Sequence, residues 1–228
     1  MNKVTAIVSA YFAEQYLAGR IENLLHQKPQ PEIIVVCQYR SPEWKITEDY
    51  STTVVRVGTA DIPTIYGAWN IGIKNASGEY LTNANSDDRL YPGALQYLAS
   101  ALDESPWLGV AYANADIVEE IGGPPVGRMD LMSGGFSELL ERCFVGPMPM
   151  WRRSLHEEYG YFDAKMKSAG DYEFWLRLAK SEVLFGYGHR AIGAYLRRRN
   201  SAERREPLRT LWETARARSR YREEGVPV

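Results

Sequence analysis

Cysteine and histidine are scarce in this chain, and long apolar runs are missing from it. The 228 residues include two cysteines, Cys37 and Cys143, and three histidines, so neither a disulfide framework nor a Cys/His metal-binding spacing is present. No apolar run reaches the roughly 18 to 20 residues that a membrane-spanning helix needs. The N-terminus leads directly into a predicted strand and does not have the form of a signal peptide. These absences predict a soluble protein in a reducing, cytoplasmic setting.

A strong excess of charge is also absent. The chain has 27 basic and 29 acidic residues, and a net charge of −2 argues against a general nucleic-acid-binding protein. The charge is unevenly distributed, because arginines crowd the segment 197–222. Such a segment is usually a solvated helix face, and peripheral contact with a membrane, a partner or an acidic acceptor is the alternative.

Apolar runs that suit buried strands alternate with helical patterns through the first half of the chain. Strands are predicted at 4–10, 32–37, 53–57, 79–84 and 108–113, and helices at 14–27, 64–76 and 92–102. This alternation is typical of an α/β fold whose mainly parallel sheet is covered by helices. In the less regular second half, helices are predicted at 171–180 and 208–222.

Two adjacent acids, Asp87 and Asp88, follow the fourth predicted strand and precede Pro92, which suits the first turn of a helix. Ligands of open α/β sheets bind beyond the carboxyl ends of the strands, so the acids are expected to meet the ends of the first two strands at one crevice. Unpaired neighbouring carboxylates repel each other and suit a divalent cation shared with a diphosphate. The alternative is that both acids cap the following helix or turn.

Five segments, in this order, resemble the family 2 glycosyltransferases: VSAYF, VVCQYRS, ASGEYLTNANSDDRLYPGAL, GPMPMWRRSLHEEYGYFD and SAGDYEFWLRLA. The likeness runs from about Thr5 to Ser201, and its most specific parts are the acidic segment and GDYEFWLRL. The resemblance implies a Rossmann-like GT-A domain at 1–205, with a mainly parallel twisted sheet and helices on both faces. It divides into a nucleotide-binding half (1–115) and an acceptor-binding half (116–205), followed by an Arg-rich helix at 206–228.

The resemblance also implies roles for individual residues. Asp87 is expected to reach the ribose or a Mn²⁺ or Mg²⁺ ion, and Asp88 to hold that ion beneath the diphosphate. Asp171 matches the catalytic base of the family, although an acid at this position also suits a simple helix cap. Contacts to the nucleobase are expected from the residues that end the first strand: Ser9, Ala10 and Tyr11.

Several residues depart from the pattern of the family. Gln38 replaces an acid that usually contacts the base, and its amide can still pair with a nucleobase edge. Asn85 stands where an Asp-x-Asp motif commonly begins, which lowers the charge of the site. Arg198 replaces a common histidine, and its cation could touch the diphosphate or the acceptor. Met148 and Trp151 are candidates for an acceptor pocket, with a core strand as the alternative.

The reaction implied by the resemblance is the transfer of a sugar, with inversion, from a UDP-, GDP- or dTDP-sugar to a hydroxyl of a glycan or lipid-linked sugar. Such a transfer passes through an oxocarbenium-like state and belongs to polysaccharide or glycoconjugate assembly. One alternative is a glycosyltransferase-like domain that binds nucleotide sugars but has lost activity. The other is a nucleotidyltransferase, which is disfavoured because no Gly-rich, basic phosphate loop follows the first strand.

Overall fold

The computed structural model describes residues 3–60, 64–198 and 206–222. Within these ranges the chain forms eight α-helices and a nine-stranded sheet. The strands are β1 (Val4–Ala10), β2 (Glu32–Gln38), β3 (Val55–Thr59), β4 (Tyr80–Asn83), β5 (Arg89–Leu90), β6 (Leu108–Val118), β7 (Gly127–Met129), β8 (Met150–Arg152) and β9 (Leu184–Leu196). The helices are α1 (Glu14–Leu25), α2 (Pro42–Ile46), α3 (Ile65–Asn75), α4 (Ala94–Glu104), α5 (Phe136–Glu141), α6 (Leu155–Tyr159), α7 (Gly170–Lys180) and α8 (Pro207–Arg222).

The sheet has the strand order β3-β2-β1-β4-β8-β6-β9-β5, and β7 pairs with β6. Strands β1 to β4 pair in parallel, and β4 and β6 both run antiparallel to β8. Since β9 is parallel to β6, the strands β1, β2, β3, β4, β6 and β9 share one direction, while β5, β7 and β8 oppose it. The predicted mainly parallel sheet is therefore confirmed.

Alternating side chains along the central strands bury two cores, one on each face of the sheet. In β1, Val4 and Val8 pack in the same core as α1 and α4, whereas Ile7 packs in the core of α3 and α7. The alternation follows from the two-residue period of a strand. Helices thus cover both faces of the sheet, as the sequence predicts.

The longest strand, β9, was not predicted from the sequence. Its glycines and its His-Arg pair interrupt the apolar pattern that would predict a strand. The glycines do not form turns but allow neighbouring strands to pack closely on β9. A Cβ atom at Gly186 would lie 2.6 Å from the Leu108 side chain, and one at Gly193 would lie 2.5 Å from the Arg89 carbonyl oxygen. These contacts hold β9 against β6 on one side and β5 on the other.

The C-terminal helix α8 packs on α7. Its residues Ala217 and Tyr221 are buried in the same core as the apolar face of α7. The Tyr221 hydroxyl donates a hydrogen bond to Glu173 Oε1 at 2.5 Å. The described part of the Arg-rich segment is therefore attached to the domain through one helix face. No helix within the described ranges is both long and apolar enough to cross a membrane.

Candidate active site

The strand order brings three of the predicted site segments to one edge of the sheet. Strand β1 lies between β2 and β4, and all three run in the same direction. Tyr11 directly follows β1, Gln38 ends β2, and the acidic segment 85–88 follows β4. This is the carboxyl edge, where open α/β sheets bind their ligands.

An exposed aromatic pair lies at the end of β1. Tyr11 is 53% exposed and Phe12 is 76% exposed, and their ring centroids are 4.3 Å apart. Ser9 is half-buried, whereas Ala10 is fully buried, backbone included, and presents no exposed atom at this edge. Gln38 is exposed at the neighbouring strand end. The edge thus presents two exposed aromatic rings, inclined to each other by 48°, and an amide at the next strand end. Either ring face can stack on a nucleobase, and the amide can pair with the edge of the base.

The two adjacent acids occupy different environments. Asp88 is 1% exposed, and its carboxylate accepts hydrogen bonds from the Leu196 backbone N–H and from Asn85 Nδ2, both at 3.1 Å. Burial, and after it the charge of Asp87, raises the pKa of Asp88 to about 7. Asp87 instead forms an ion pair with Arg198, with 2.6 Å between Oδ2 and Nη2. Asp88 therefore joins the acidic loop to β9, and its burial argues against direct contact with a ligand.

Arginines supply positive charge around this acidic pair. Arg20 is 1% exposed, and burial lowers its pKa to about 10 despite the opposing effect of Asp88. Arg89 Nη1 donates to the Asp88 carbonyl oxygen at 2.8 Å, and Arg198 pairs with Asp87. The expectation that the two acids are unpaired is therefore wrong, because Asp87 has an ion pair with Arg198. The Asp88 carboxylate has two neutral hydrogen-bond donors and lies within the electrostatic influence of Arg20.

The residues at this edge fit a metal ion only if a substrate completes its coordination. In the described part of the chain, no group of three or more His, Cys, Asp or Glu residues could hold a metal ion. The Asp87 carboxylate is an oxygen ligand, and the buried Asn85 Oδ1 has no hydrogen-bond partner among the described residues. Mg²⁺ is commonly bound by one or two carboxylates together with substrate phosphates. The oxygen donors present therefore suit a shared ion rather than an all-protein cage.

Asp171 lies in the first turn of α7 and is held by a second helix. The Tyr66 hydroxyl donates to Asp171 Oδ1 at 3.0 Å, and the Tyr172 backbone N–H donates to the same oxygen at 2.9 Å. Burial and the charge of Asp171 raise the pKa of Tyr66 well above its usual value, so the phenol stays protonated. A Cβ atom at Gly170 would lie 2.7 Å from the Tyr66 ring, which explains the glycine before the acid.

Helix α3, which carries Tyr66, follows β3 and packs on β1 and β2. Its first turn, and Asp171 with it, therefore lies toward the carboxyl edge of the sheet. Tyr66 was missed in the sequence analysis, since nothing in its local pattern marks a residue that contacts an acid 105 positions later.

Two of the predicted acceptor residues lie in the core, and this prediction is wrong. Trp151 is 1% exposed and Met148 is 3% exposed. Trp151 lies in β8, which is inserted between β4 and β6, and its Nε1 donates to His156 Nε2 at 2.8 Å. Central strands are covered on both faces, so neither side chain can stack on a sugar. Arg198, the third acceptor candidate, lies beside Asp87 instead.

Comparison with known proteins identifies relatives along most of the chain. The model of glycosyl transferase family 2 matches residues 5–160. The uncharacterized glycosyltransferase YwdF of Bacillus subtilis (strain 168) is 28% identical over 188 residues, which cover 78% of this chain and 68% of YwdF. An uncharacterized glycosyltransferase of Rickettsia felis is 22% identical, and the match covers 78% of this chain but 31% of that protein.

Solved structures share the fold at low sequence identity. Residues 1–349 of S. aureus TarS superpose with a TM-score of 0.75 at 19% identity, over 96% of this chain and 65% of that chain. TarS has also been solved with UDP and with UDP-GlcNAc. The mannosyltransferase PcManGT of Pyrobaculum calidifontis, solved with GDP-Man and Mn²⁺, has a TM-score of 0.68 at 15% identity, over 94% of this chain and 64% of its own. The chain thus spans just under two thirds of TarS 1–349 and of PcManGT, and 39% of the longer TarS chain.

The fold likeness to TarS confirms the predicted GT-A architecture. The family model covers most of the chain, from β1 through α6. By this match the chain belongs to glycosyl transferase family 2.

Proposed function

We propose that this glycosyltransferase moves a sugar, with inversion, from a nucleoside diphosphate sugar to a hydroxyl of a glycan or lipid-linked acceptor. The observation that carries the proposal is the carboxylate of Asp171, fixed by Tyr66 at 3.0 Å toward the edge that also bears Tyr11 and Asp87. The complexes of TarS with UDP-GlcNAc and of PcManGT with GDP-Man support this class of donor.

The nucleoside is proposed to bind at the ends of β1 and β2. The exposed Tyr11 ring offers a stacking surface, and the exposed Gln38 amide can donate to and accept from a base edge. Ser9, which is half-buried, is proposed to contact the nucleoside, while the fully buried Ala10 supports the end of β1 from within the core. This arrangement suits UDP, GDP or dTDP, since an amide pairs with any of these bases.

The diphosphate is proposed to bind between Asp87 and Arg198. The Arg198 guanidinium can leave Asp87 and form paired hydrogen bonds to phosphate oxygens. Asp87, with the Asn85 oxygen, would then hold a Mn²⁺ or Mg²⁺ ion, and Asp88 would support the loop through its bond to Leu196. When bound, such an ion supplies Lewis-acid stabilisation to the leaving diphosphate.

Asp171 is proposed to act as the general base. Its carboxylate takes the proton of the acceptor hydroxyl while the hydroxyl oxygen attacks the anomeric carbon, opposite the departing diphosphate. A single displacement of this kind inverts the configuration of that carbon. The protonated Tyr66 holds the carboxylate in one orientation, which lowers the entropic cost of aligning it with the acceptor hydroxyl.

A nucleotide-sugar-binding domain without transferase activity is the second candidate. The Asp87–Arg198 ion pair favours it, because the pair engages the acid that a metal needs. An enzyme is expected to break the Asp87–Arg198 pair when the donor binds and then to release the nucleoside diphosphate. A domain that only binds the donor releases no nucleoside diphosphate.

We also propose peripheral contact between α8 and a membrane that carries the acceptor. The outward face of α8 bears exposed Leu208, Leu211 and Trp212. The Arg216 guanidinium lies 5.2 Å from the Trp212 ring centroid. Exposed apolar side chains flanked by arginines are typical of helices that lie on anionic lipid surfaces.

A thermal-shift screen tests the proposed donor site. UDP-GlcNAc, GDP-mannose and dTDP-glucose are added to the wild type with Mn²⁺ or with EDTA. A donor at 100 times its Kd stabilises by about 2.7 kcal/mol, which raises Tm by about 5 to 10 °C at this chain length. We expect one donor to stabilise the protein more with Mn²⁺, and Asp87→Asn to remove the Mn²⁺-dependent part.

The matched control is Glu79→Gln, which removes an exposed carboxylate just before β4, at the opposite edge of the sheet. This variant is expected to keep the full Mn²⁺-dependent shift. No stabilisation by any donor contradicts the proposed site, and an unchanged Mn²⁺ effect in Asp87→Asn contradicts the metal assignment alone.

A further inference from the structure

The N-terminus of α7 is capped by a side chain from α8. Ala169, the residue before α7, makes no side-chain capping bond of its own. Instead, Glu213 Oε2 accepts hydrogen bonds from the backbone N–H groups of Ser168 and Ala169, at 2.8 and 3.0 Å. The Lys167 N–H is shared between Oε1 and Oε2 of Glu213, at 3.0 and 3.1 Å. One carboxylate therefore binds three consecutive amides.

This carboxylate is well suited to fix the backbone that it binds. Glu213 is 5% exposed, so water competes little for its oxygens. Its negative charge lies at the positive end of the α7 dipole. Of the amides it binds, that of the N-cap residue Ala169 has no partner within the helix, and those of Lys167 and Ser168 belong to the bend that leads into it. Ser168 Oγ and Thr210 Oγ1, 2.5 Å apart, provide a second link between the same loop and α8.

The capped loop ends two residues before Asp171. Its backbone is held from one side by Glu213, and the Asp171 side chain is held from the other side by Tyr66. Because the α7 backbone is continuous from Ala169 to Asp171, a shift of the loop moves the carboxylate with it. A displacement of about 1 Å at a reacting group can cost about 100-fold in rate.

Other contacts of α8 reach α7 away from this loop. The Tyr221 hydroxyl donates to Glu173, and Arg218 Nε donates to the Tyr172 hydroxyl at 2.9 Å. These bonds attach the helix but do not involve the loop 167–169. The attachment of α8 and the alignment of Asp171 can therefore be perturbed separately.

We propose that Glu213 is a positioning residue for catalysis, which aligns the Asp171 carboxylate through the loop 167–169. The C-terminal helix is then part of the catalytic apparatus rather than an appendage to it. The inference rests on the proposed role of Asp171 as the base and adds to it a residue on a helix beyond the family-matched segment 5–160.

The test compares Glu213→Gln with Tyr221→Phe. Gln keeps the size of the side chain but replaces one acceptor oxygen with an NH₂ group. This donor then faces a backbone N–H of the loop, which is also a donor, so a hydrogen bond is lost. With UDP-GlcNAc or GDP-mannose as probe donor and water as acceptor, we expect kcat for nucleotide release to fall roughly tenfold in Glu213→Gln. KM for the donor stays unchanged, since the nucleotide contacts lie elsewhere. Tyr221→Phe, which loosens α8 without touching the loop, keeps wild-type kcat.

A double variant separates this inference from the proposed function. If Glu213 acts through Asp171, adding Glu213→Gln to Asp171→Asn leaves the residual rate of Asp171→Asn unchanged. Wild-type kcat in Asp171→Asn refutes the proposed base itself. An inactive Asp171→Asn together with wild-type kcat in Glu213→Gln overturns the positioning role, as does an equal loss in Tyr221→Phe. If Glu213→Gln does not fold, Glu213→Asp takes its place, because it keeps the charge but withdraws the carboxylate from the amides of the loop. Wild-type kcat in that variant overturns the proposal.

Discussion

At the residue scale, His156 shows how burial sets the chemistry of a single side chain. Its ring stacks between Tyr161 and Phe174, with centroid distances of 5.4 and 4.9 Å. Nε2 accepts from Trp151, and Nδ1 lies 3.0 Å from the Gly160 carbonyl oxygen, to which it donates. Burial lowers the pKa of His156 to about 4 from 6.5. The ring is therefore neutral and serves the core rather than the reaction.

This pKa predicts a loss of stability in acid. Between pH 6.5 and about 4 the unfolded chain binds a proton at His156 that the folded protein excludes, so stability is complete above pH 6.5 and decreases as the pH falls. The difference between the two pKa values corresponds to about 3 kcal/mol. Scanning calorimetry from pH 7.5 to 5 should show a shallower fall of Tm for His156→Gln than for the wild type. His26→Gln, at an exposed histidine, should follow the wild type, and parallel curves for all three proteins contradict the prediction.

Single residues were predictable from sequence only where their partners are local. The pattern around Asp171 identified a helix start, and the structure places it there. Which of Asp87 and Asp88 is buried could not be predicted, because the hydrogen bond that buries Asp88 comes from Leu196, 108 residues later. The same limit applies to Glu213, whose carboxylate acts 44 residues away from its own position.

At the element scale, α8 has two faces with different partners. Glu213, Ala217 and Tyr221 recur every four residues and are buried against the domain. On the outward face, Leu208 and Trp212 are 81% and 59% exposed. The spacing predicts an amphipathic helix, but an Arg-rich sequence does not reveal which face is occupied. Which face is buried depends on the position of α7, and the sequence of α8 alone does not encode that position.

The outward face predicts binding to anionic membranes. We expect the double variant Leu211→Gln, Trp212→Gln to co-sediment less with phosphatidylglycerol-containing vesicles than the wild type does, because less apolar area enters the interface. Binding to pure phosphatidylcholine vesicles should be weak for both proteins. Trp107→Gln, at a 67% exposed tryptophan in another part of the surface, is the matched control. Equal sedimentation of the double variant and the control contradicts a membrane role for α8.

At the scale of the whole molecule, the first half of the fold was predictable from sequence, because its strands and helices follow one another along the chain. Strands β1 to β4 alternate with helices, and their predicted ranges differ from the observed ones by only a few residues. The second half depends on pairing between distant segments, such as β8 inserted between β4 and β6 and β9 alongside β6. Short strands of three residues, such as β8, carry too few side chains for a periodic pattern. The acceptor residues predicted there, Met148 and Trp151, were misplaced for this reason.

The nucleotide edge and Asp171 belong to different halves of the chain, and the proposed reaction requires that they act together. Asp171→Asn keeps the shape of the side chain and the oxygen that accepts from Tyr66, but it removes the basic carboxylate. Donor binding depends on the strand ends and should be unaffected. The rate of transfer should fall by about 10² to 10⁴, the usual contribution of a general base.

The most direct test is the rate of nucleoside diphosphate release by Asp171→Asn, measured beside donor affinity in the same preparation by calorimetry. Asp163→Asn, which alters an acid in the loop before α7, serves as the control and should keep the wild-type rate. If Asp171 is the catalytic base, Asp171→Asn has a wild-type donor Kd and releases the nucleotide at least roughly 100-fold more slowly. Release close to the wild-type rate, with unchanged affinity, would contradict the assignment of Asp171 as the catalytic base.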